Sequence, residues 1–142
     1  MNNLPIISEA QLLAMPDDQY MNPQQLAFFR SLLLNQQQEV TQHLEALRLA
    51  ISEPAEQGDD TDKASLEEEK ALLLRQADRE TRLLSKILHS LEQIEKGAYG
   101  FCRETGDPIG LQRLLLRPTA ELSLEAKQLQ EQKEQQFAHN RG

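Results

Sequence analysis

One cysteine, no tryptophan, two tyrosines and four phenylalanines are all that this 142-residue chain offers toward sulfur-bound sites and aromatic pockets. The single thiol, Cys102, excludes an intrachain disulfide framework and fits a reducing compartment. Long apolar runs are missing as well, since none approaches the ~20 residues a membrane span requires. The opening Met1-Asn2-Asn3-Leu4-Pro5-Ile6-Ile7-Ser8-Glu9 has no basic stretch and no useful apolar core. A secretory signal is therefore not expected, and cytoplasmic placement is. Positive charge is in deficit: 23 acids face 15 Lys and Arg, for a net charge of −8. That balance argues against direct, sequence-independent binding of DNA or RNA. There is no glycine-rich phosphate loop, and His43, His89 and His139 have no nucleophile in matching context. An enzyme in its own right is not expected.

What is present favours helix. Leu, Ala, Glu and Gln dominate while β-branched and aromatic residues are few. Residues 1–21 read as a tail with at most one short helical turn. Asn22-Pro23 then forms a good helix start, Asn as N-cap and Pro at the first helical position. From there Leu26, Phe29, Leu33, Val40, Leu44, Leu47 and Ile51 mark a heptad seam with one polar gap at Gln36/Gln37. Pro54 and Gly58 break the pattern in a polar stretch. It resumes as Leu66, Lys70, Leu73, Ala77, Glu80, Leu84, Ile87, Leu91, Ile94 and Ala98, and Gly97 and Gly100 stop it. The expected fold is all-α dominated: a long antiparallel coiled-coil hairpin over 22–97 with its tip at 53–64. A small globular piece over 98–123 follows, then a C-terminal helix over 124–142 with Ala126, Leu129 and Phe137 on a thin apolar face. Each arm of the hairpin would extend roughly 45–50 Å.

Three features suggest chemistry. The tip segment holds five acids, Glu53, Glu56, Asp59, Asp60 and Asp62, and no base within ten residues. Like charges this close repel, so stability alone does not explain them. An EF-hand reading fails, because Ser65 and Ala71 stand where the loop from Asp60 needs Gly and Glu. A solvated loop and a delivered set of carboxylates remain. Second, Arg75, Arg79, Arg82 and Lys86 step by 4, 3 and 4 along the outer face of the second arm. The row reads equally as ordinary i,i+4 pairing with neighbours such as Asp78 or as an anion cradle. Third, Cys102-x-x-Thr105, seventeen residues, then Ser123-x-x-Ala126 has the spacing of a four-ligand zinc ribbon with three of its four sulfurs missing. Hydroxyls are poor zinc ligands and a methyl is none, so metal is not expected.

These segments carry a family resemblance. Asp59-Asp60-Thr61-Asp62-Lys63-Ala64, Glu67-Glu68-Glu69, Ala77-Asp78-Arg79-Glu80, Gly97-Ala98-Tyr99-Gly100-Phe101-Cys102, Asp107-Pro108-Ile109-Gly110 and Arg117-Pro118-Thr119-Ala120 resemble the DksA/TraR family. The likeness runs from about Tyr20 to the C-terminus, and length and order resemble the longer members more than the shorter ones. It implies a monomeric transcription regulator that binds RNA polymerase, not DNA or membranes, and enters its secondary channel. The tip residues Asp59, Asp62 and Ala64 would lie near the catalytic centre. It also implies a co-regulator, guanosine tetraphosphate (ppGpp), with contacts at Lys86, Arg117 and Lys127 and with Arg79 and Arg82 beside them. Ribosomal RNA promoters would fall and some biosynthetic promoters rise, as in the stringent response. No cofactor would be bound structurally.

The departure from the family pattern is the ligand set Cys102, Thr105, Ser123 and Ala126. The role it implies is a zinc-independent paralogue, able to work when zinc is scarce. Packing by Leu114, Leu115, Leu116, Leu122 and Leu124, with hydrogen bonds from Thr105 and Ser123, is expected to replace the metal. A Gre-like transcript-cleavage factor, holding a second Mg²⁺ with its tip acids, is the nearest alternative. About 26 residues of small domain leave no room for the larger sheet domain of such factors. A plain coiled-coil scaffold is the other alternative.

Overall fold

The structure is a computed structural model that describes residues 4–53 and 60–141, with side chains for 4–53 and 63–138. Helix α1 spans Glu9–Ala14, followed by a 3-10 turn at Asp17–Gln19. Helices α2 (Pro23–Ser52) and α3 (Asp60–Lys96) form the long helical hairpin, and α4 (Leu111–Leu116) and α5 (Leu124–Arg141) complete the chain. No strand occurs among the described residues, apart from one isolated antiparallel bridge between Phe101 and Pro108. The hairpin is antiparallel: Arg30 faces Glu95 at 3.8 Å, while His43, further along α2, faces Glu80 at 3.2 Å.

Local chemistry accounts for the boundaries. Asn22 Oδ1 accepts the Gln25 N–H at 2.8 Å, the N-cap bond that starts α2 with Pro23 at its first position. Helix α3 ends because Gly97 adopts φ +77°, and Ala98 N–H reaches back to the Gln93 carbonyl at 2.9 Å. The N-terminal stretch is more ordered than a tail. Ser8 and Gln11 form a reciprocal capping box at the start of α1, and Leu12 is fully buried.

The chain divides into two units. Residues 33–89 form one, which holds the greater part of α2 and α3. Its seam follows the heptad pattern, with Leu33, Val40, Leu47 and Ile87 buried. Ala77 is small where other seam positions are large, and an open recess of about 520 Å³ lies beside it along Leu44, Arg48 and Ile51. At the polar gap, Gln36 Oε1 is buried with no hydrogen-bond donor among the described residues.

Residues 4–32 and 90–141 form the other unit. Its core is aromatic at the centre: Phe29 is fully buried, edge-on to Phe28 at 5.3 Å and tilted against Tyr99 at 5.6 Å. Leu12, Leu114, Ile109 and Leu122 are buried in the same unit. Leu116 and Leu124, expected in this core, are instead 90% and 57% exposed. A six-residue helix presents one face inward, and Leu114 takes it, leaving Leu116 outside. On α5, Leu129 and Phe137 are exposed, so its apolar face contributes less than expected.

Candidate functional site

The knuckle at residues 100–110 is built by backbone ties. Cys102 N–H donates to Asp107 C=O at 2.7 Å, Gly106 N–H to Cys102 C=O at 2.8 Å, and Ile109 N–H to Gly100 C=O at 2.8 Å. The Cys102 side chain is 2% exposed. Burial opposes its ionisation, but the Thr105 hydroxyl and the backbone N–H groups of Ser123, Thr105 and Glu104 donate to the sulfur. Those bonds outweigh burial and bring the thiol down from its ordinary 9.0 to about 6.

The four positions with zinc-ribbon spacing do not fit that metal. One offers a thiol and two offer hydroxyls already in use. Thr105 also accepts the Asp107 N–H at 3.2 Å, and Ser123 Oγ caps α5 by accepting the Ala126 N–H at 3.2 Å. The fourth, Ala126, has no donor atom for a metal. Among the described residues no group of three or more His, Cys, Asp or Glu side chains is arranged to hold a metal ion.

Direct ties hold the 118–123 turn. Tyr99, nearly buried, donates its hydroxyl to the Pro118 C=O at 2.7 Å, and burial, with Tyr20 adding to it, raises the pKa of that hydroxyl far above the ordinary range. Arg113 Nε donates to the Leu122 C=O at 3.0 Å. Arg103 donates to Glu121 twice, through its side chain at 2.7 Å and its backbone at 2.9 Å. The Tyr99 and Arg103 bonds draw the 118–123 turn toward the knuckle, and the Arg113 bond ties it to α4.

A further tie comes from residues that no local motif points to. The Tyr20 hydroxyl donates to Gly100 C=O at 2.6 Å and accepts the Gly110 N–H at 3.0 Å. It thereby adds a side-chain rung to the knuckle ladder next to the Ile109–Gly100 bond. The Tyr20 ring meets Phe101 edge-on at 5.5 Å. Met21 sits in the left-handed region at φ 56°, held by its N–H to Gln25 Oε1 at 2.8 Å. Its side chain fills the space at Gly100, where an added Cβ would come within 2.8 Å of Met21 Cγ. Only glycine fits there, at φ +93°.

The expected contact residues fall in different settings. Asp59 lies outside the described residues. Asp62 is in the first turn of α3 by its backbone, its side chain outside the described set, and Ala64 is exposed two residues on. Arg79, Arg82 and Lys86 are exposed on the outer face of α3. Arg82 is held by Asp78 at 2.6 Å, the i,i+4 pairing that charge alone allows. In the unit with the knuckle, Arg117 follows α4 directly, its N–H bonded to the Arg113 C=O at 2.8 Å, and its side chain is exposed. Lys127 is half-buried near the start of α5, its N–H on the Ser123 C=O at 2.9 Å.

A long helical hairpin followed by a C4-type finger that keeps one of its thiols defines the class of protein. Residues 25–94 match the family model described as DnaK suppressor protein DksA, N-terminal domain, and residues 97–132 match the prokaryotic dksA/traR C4-type zinc finger. The chain belongs to the DksA/TraR family. It is 42% identical over 119 residues to the RNA polymerase-binding transcription factor DksA of Caulobacter vibrioides, covering 83% of this chain and 84% of the relative. The protein of the same name from Escherichia coli is 38% identical over 124 residues, 87% of this chain and 82% of the relative. Among solved structures, that of transcription factor DksA2 from Pseudomonas aeruginosa aligns with a TM-score of 0.82 and 48% identity, over 90% of this chain and 99% of that one.

Proposed function

We propose that this chain is a transcription regulator that binds RNA polymerase and works by contact, with no chemistry of its own. The observation that carries the reading is the likeness to RNA polymerase-binding transcription factors over 83% of the chain, hairpin and finger together. The distal end of the hairpin enters the secondary channel, where Asp59, Asp62 and Ala64 approach the catalytic centre. Acting with guanosine tetraphosphate, the protein shifts the lifetime of initiation complexes, lowering ribosomal RNA promoters and raising some biosynthetic ones. The alarmone contacts are Lys86, Arg117 and Lys127, with Arg79 and Arg82 beside them. An exposed row of cations on an acidic chain supports this, since Lys and Arg bind phosphates through charge-assisted bonds. The protein acts as a cytoplasmic monomer without touching DNA. It needs no zinc, because hydrogen bonds to Cys102 and the Tyr99, Arg103 and Arg113 ties take over the metal's part.

The test is transcription in vitro from a ribosomal RNA promoter in metal-free buffer, with and without ppGpp. Wild type inhibits, and inhibition deepens with ppGpp. Asp62→Asn abolishes regulation while polymerase affinity stays near wild type. Lys86→Ala loses about 1.5–3 kcal/mol of alarmone affinity, tenfold or more in the ppGpp concentration needed. Equal regulation by wild type and Asp62→Asn would leave a scaffold. Rapid RNA cleavage in a backtracked polymerase would make it a cleavage factor. Unfolding by a chelator would refute the zinc-free reading.

A further inference from the structure

We propose that Tyr20 is a positioning residue for Arg117: its hydroxyl fixes the start of α4, and α4 carries Arg117 at its far end. The inference rests on the reading of Arg117 as an alarmone contact.

The peptide at Gly110 is held on both sides. Its N–H goes to the Tyr20 hydroxyl at 3.0 Å, and its C=O accepts the Leu114 N–H at 3.1 Å, the first bond of α4. Helix α4 has six residues, too few to fix its own direction. Its direction is therefore set by what holds it: Leu114 packed in the core, Arg113 Nε on the Leu122 C=O, and Gly110 at its start. Gly110 is tied through Tyr20 to Gly100, and Arg117 at the far end is carried by the helix through its N–H on the Arg113 C=O. At 1.5 Å per residue the lever from Gly110 to Arg117 is about 10 Å, so a tilt of roughly 10° displaces Arg117 by ~2 Å. A shift of that size takes a hydrogen bond out of range. Tyr20 must donate and accept at once, which the phenol does and the phenolate does not. Burial raises its pKa above the ordinary value, against the lowering effect of the Gly110 and Ile109 backbone bonds, and so keeps the proton in place. Tyr20→Phe keeps the ring against Phe101 and removes only the hydroxyl.

The experiment titrates ppGpp in polymerase-bound reactions with full-length wild type, Tyr20→Phe, Arg117→Ala and the double variant. Amide hydrogen exchange of Leu111–Arg117 and thermal melting are measured on the same proteins. For Tyr20→Phe the half-maximal ppGpp concentration rises severalfold. Polymerase affinity and the response at saturating ppGpp stay at wild-type level, and the 111–117 amides exchange faster. In the double variant Tyr20→Phe adds nothing to Arg117→Ala. A merely structural role would lower the melting temperature and the saturating response while leaving the half-maximal concentration unmoved, and that result overturns the proposal. So does an effect of Tyr20→Phe that persists in full when Arg117 is already alanine. If Arg117→Ala shifts nothing, the alarmone reading of Arg117 fails, and exchange alone decides. Faster exchange in Tyr20→Phe then upholds the positioning of α4, and unchanged exchange overturns it.

Discussion

Residues 33–89 and the knuckle with its 118–123 turn both bury a thin apolar complement, by different means. In the hairpin unit one device repeats: an apolar layer every three or four residues, with Leu33, Val40, Leu47 and Ile87 as its most buried members. Any layer resembles the next, so a weak one is tolerated. The knuckle repeats nothing. Its ties differ from one another: Tyr20 on Gly100 and Gly110, Tyr99 on Pro118, Arg113 on Leu122 and the donors around Cys102. Periodic burial gives redundancy, whereas the knuckle depends on individual groups, Tyr20 among them supplied from far along the chain.

The largest effect that sharpens this contrast is expected at Phe29. Phe29→Ala should cost about 3–5 kcal/mol in denaturant unfolding and speed amide exchange throughout 98–123. Leu47→Ala, also of a buried residue, should cost about 2–5 kcal/mol and leave exchange in 98–123 unchanged. Equal spread of both effects would erase the distinction between the two units.

Next comes the pH dependence of the knuckle. The folded pKa of Cys102, about 6, lies below its ordinary 9.0, so the folded state favours the thiolate. The stabilisation is fully present above about pH 9 and is lost as pH falls through 6. Thermal melts should therefore rise in temperature from pH 6 to 9 in wild type and lose that slope in Cys102→Ser. An identical slope in the variant would assign it to other groups.

The smallest effect tests redundancy in the seam. Replacing Gln36 by Leu removes a buried acceptor without a donor and should raise stability by about 1–3 kcal/mol, read by equilibrium unfolding. A loss of stability would mean that the amide has a partner in solution.

Much of the hairpin was legible in advance because its physics is local and periodic. The seam residues from Leu26 to Ile51 are all buried or half-buried, and the outward row from Arg75 to Lys86 is exposed. The Asn22-Pro23 start and the Gly97 stop act as their chemistry dictates. Helix α1 is longer than the one short turn expected of residues 1–21, because Ser8-x-x-Gln11 forms a capping box and a buried Leu12 anchors it. Leu116 and Leu124 lie outside the core expected of them, because composition does not say which face a helix turns inward. Tyr20 was not recognisable at all: its partners are backbone groups of glycines 80 and 90 positions away, and backbone carries no signature in side-chain sequence.

The separation of Tyr20 from the glycines it joins also sets an order of events during synthesis. At ~5–20 residues per second, about 4–16 s pass on the ribosome between making Tyr20 and making Gly100. The early-made phenol must wait for its acceptor, and nascent chains released short of Gly110 never complete the latch. A fragment beginning at Ser90 would contain every zinc-ribbon position and still lack the piece that closes it.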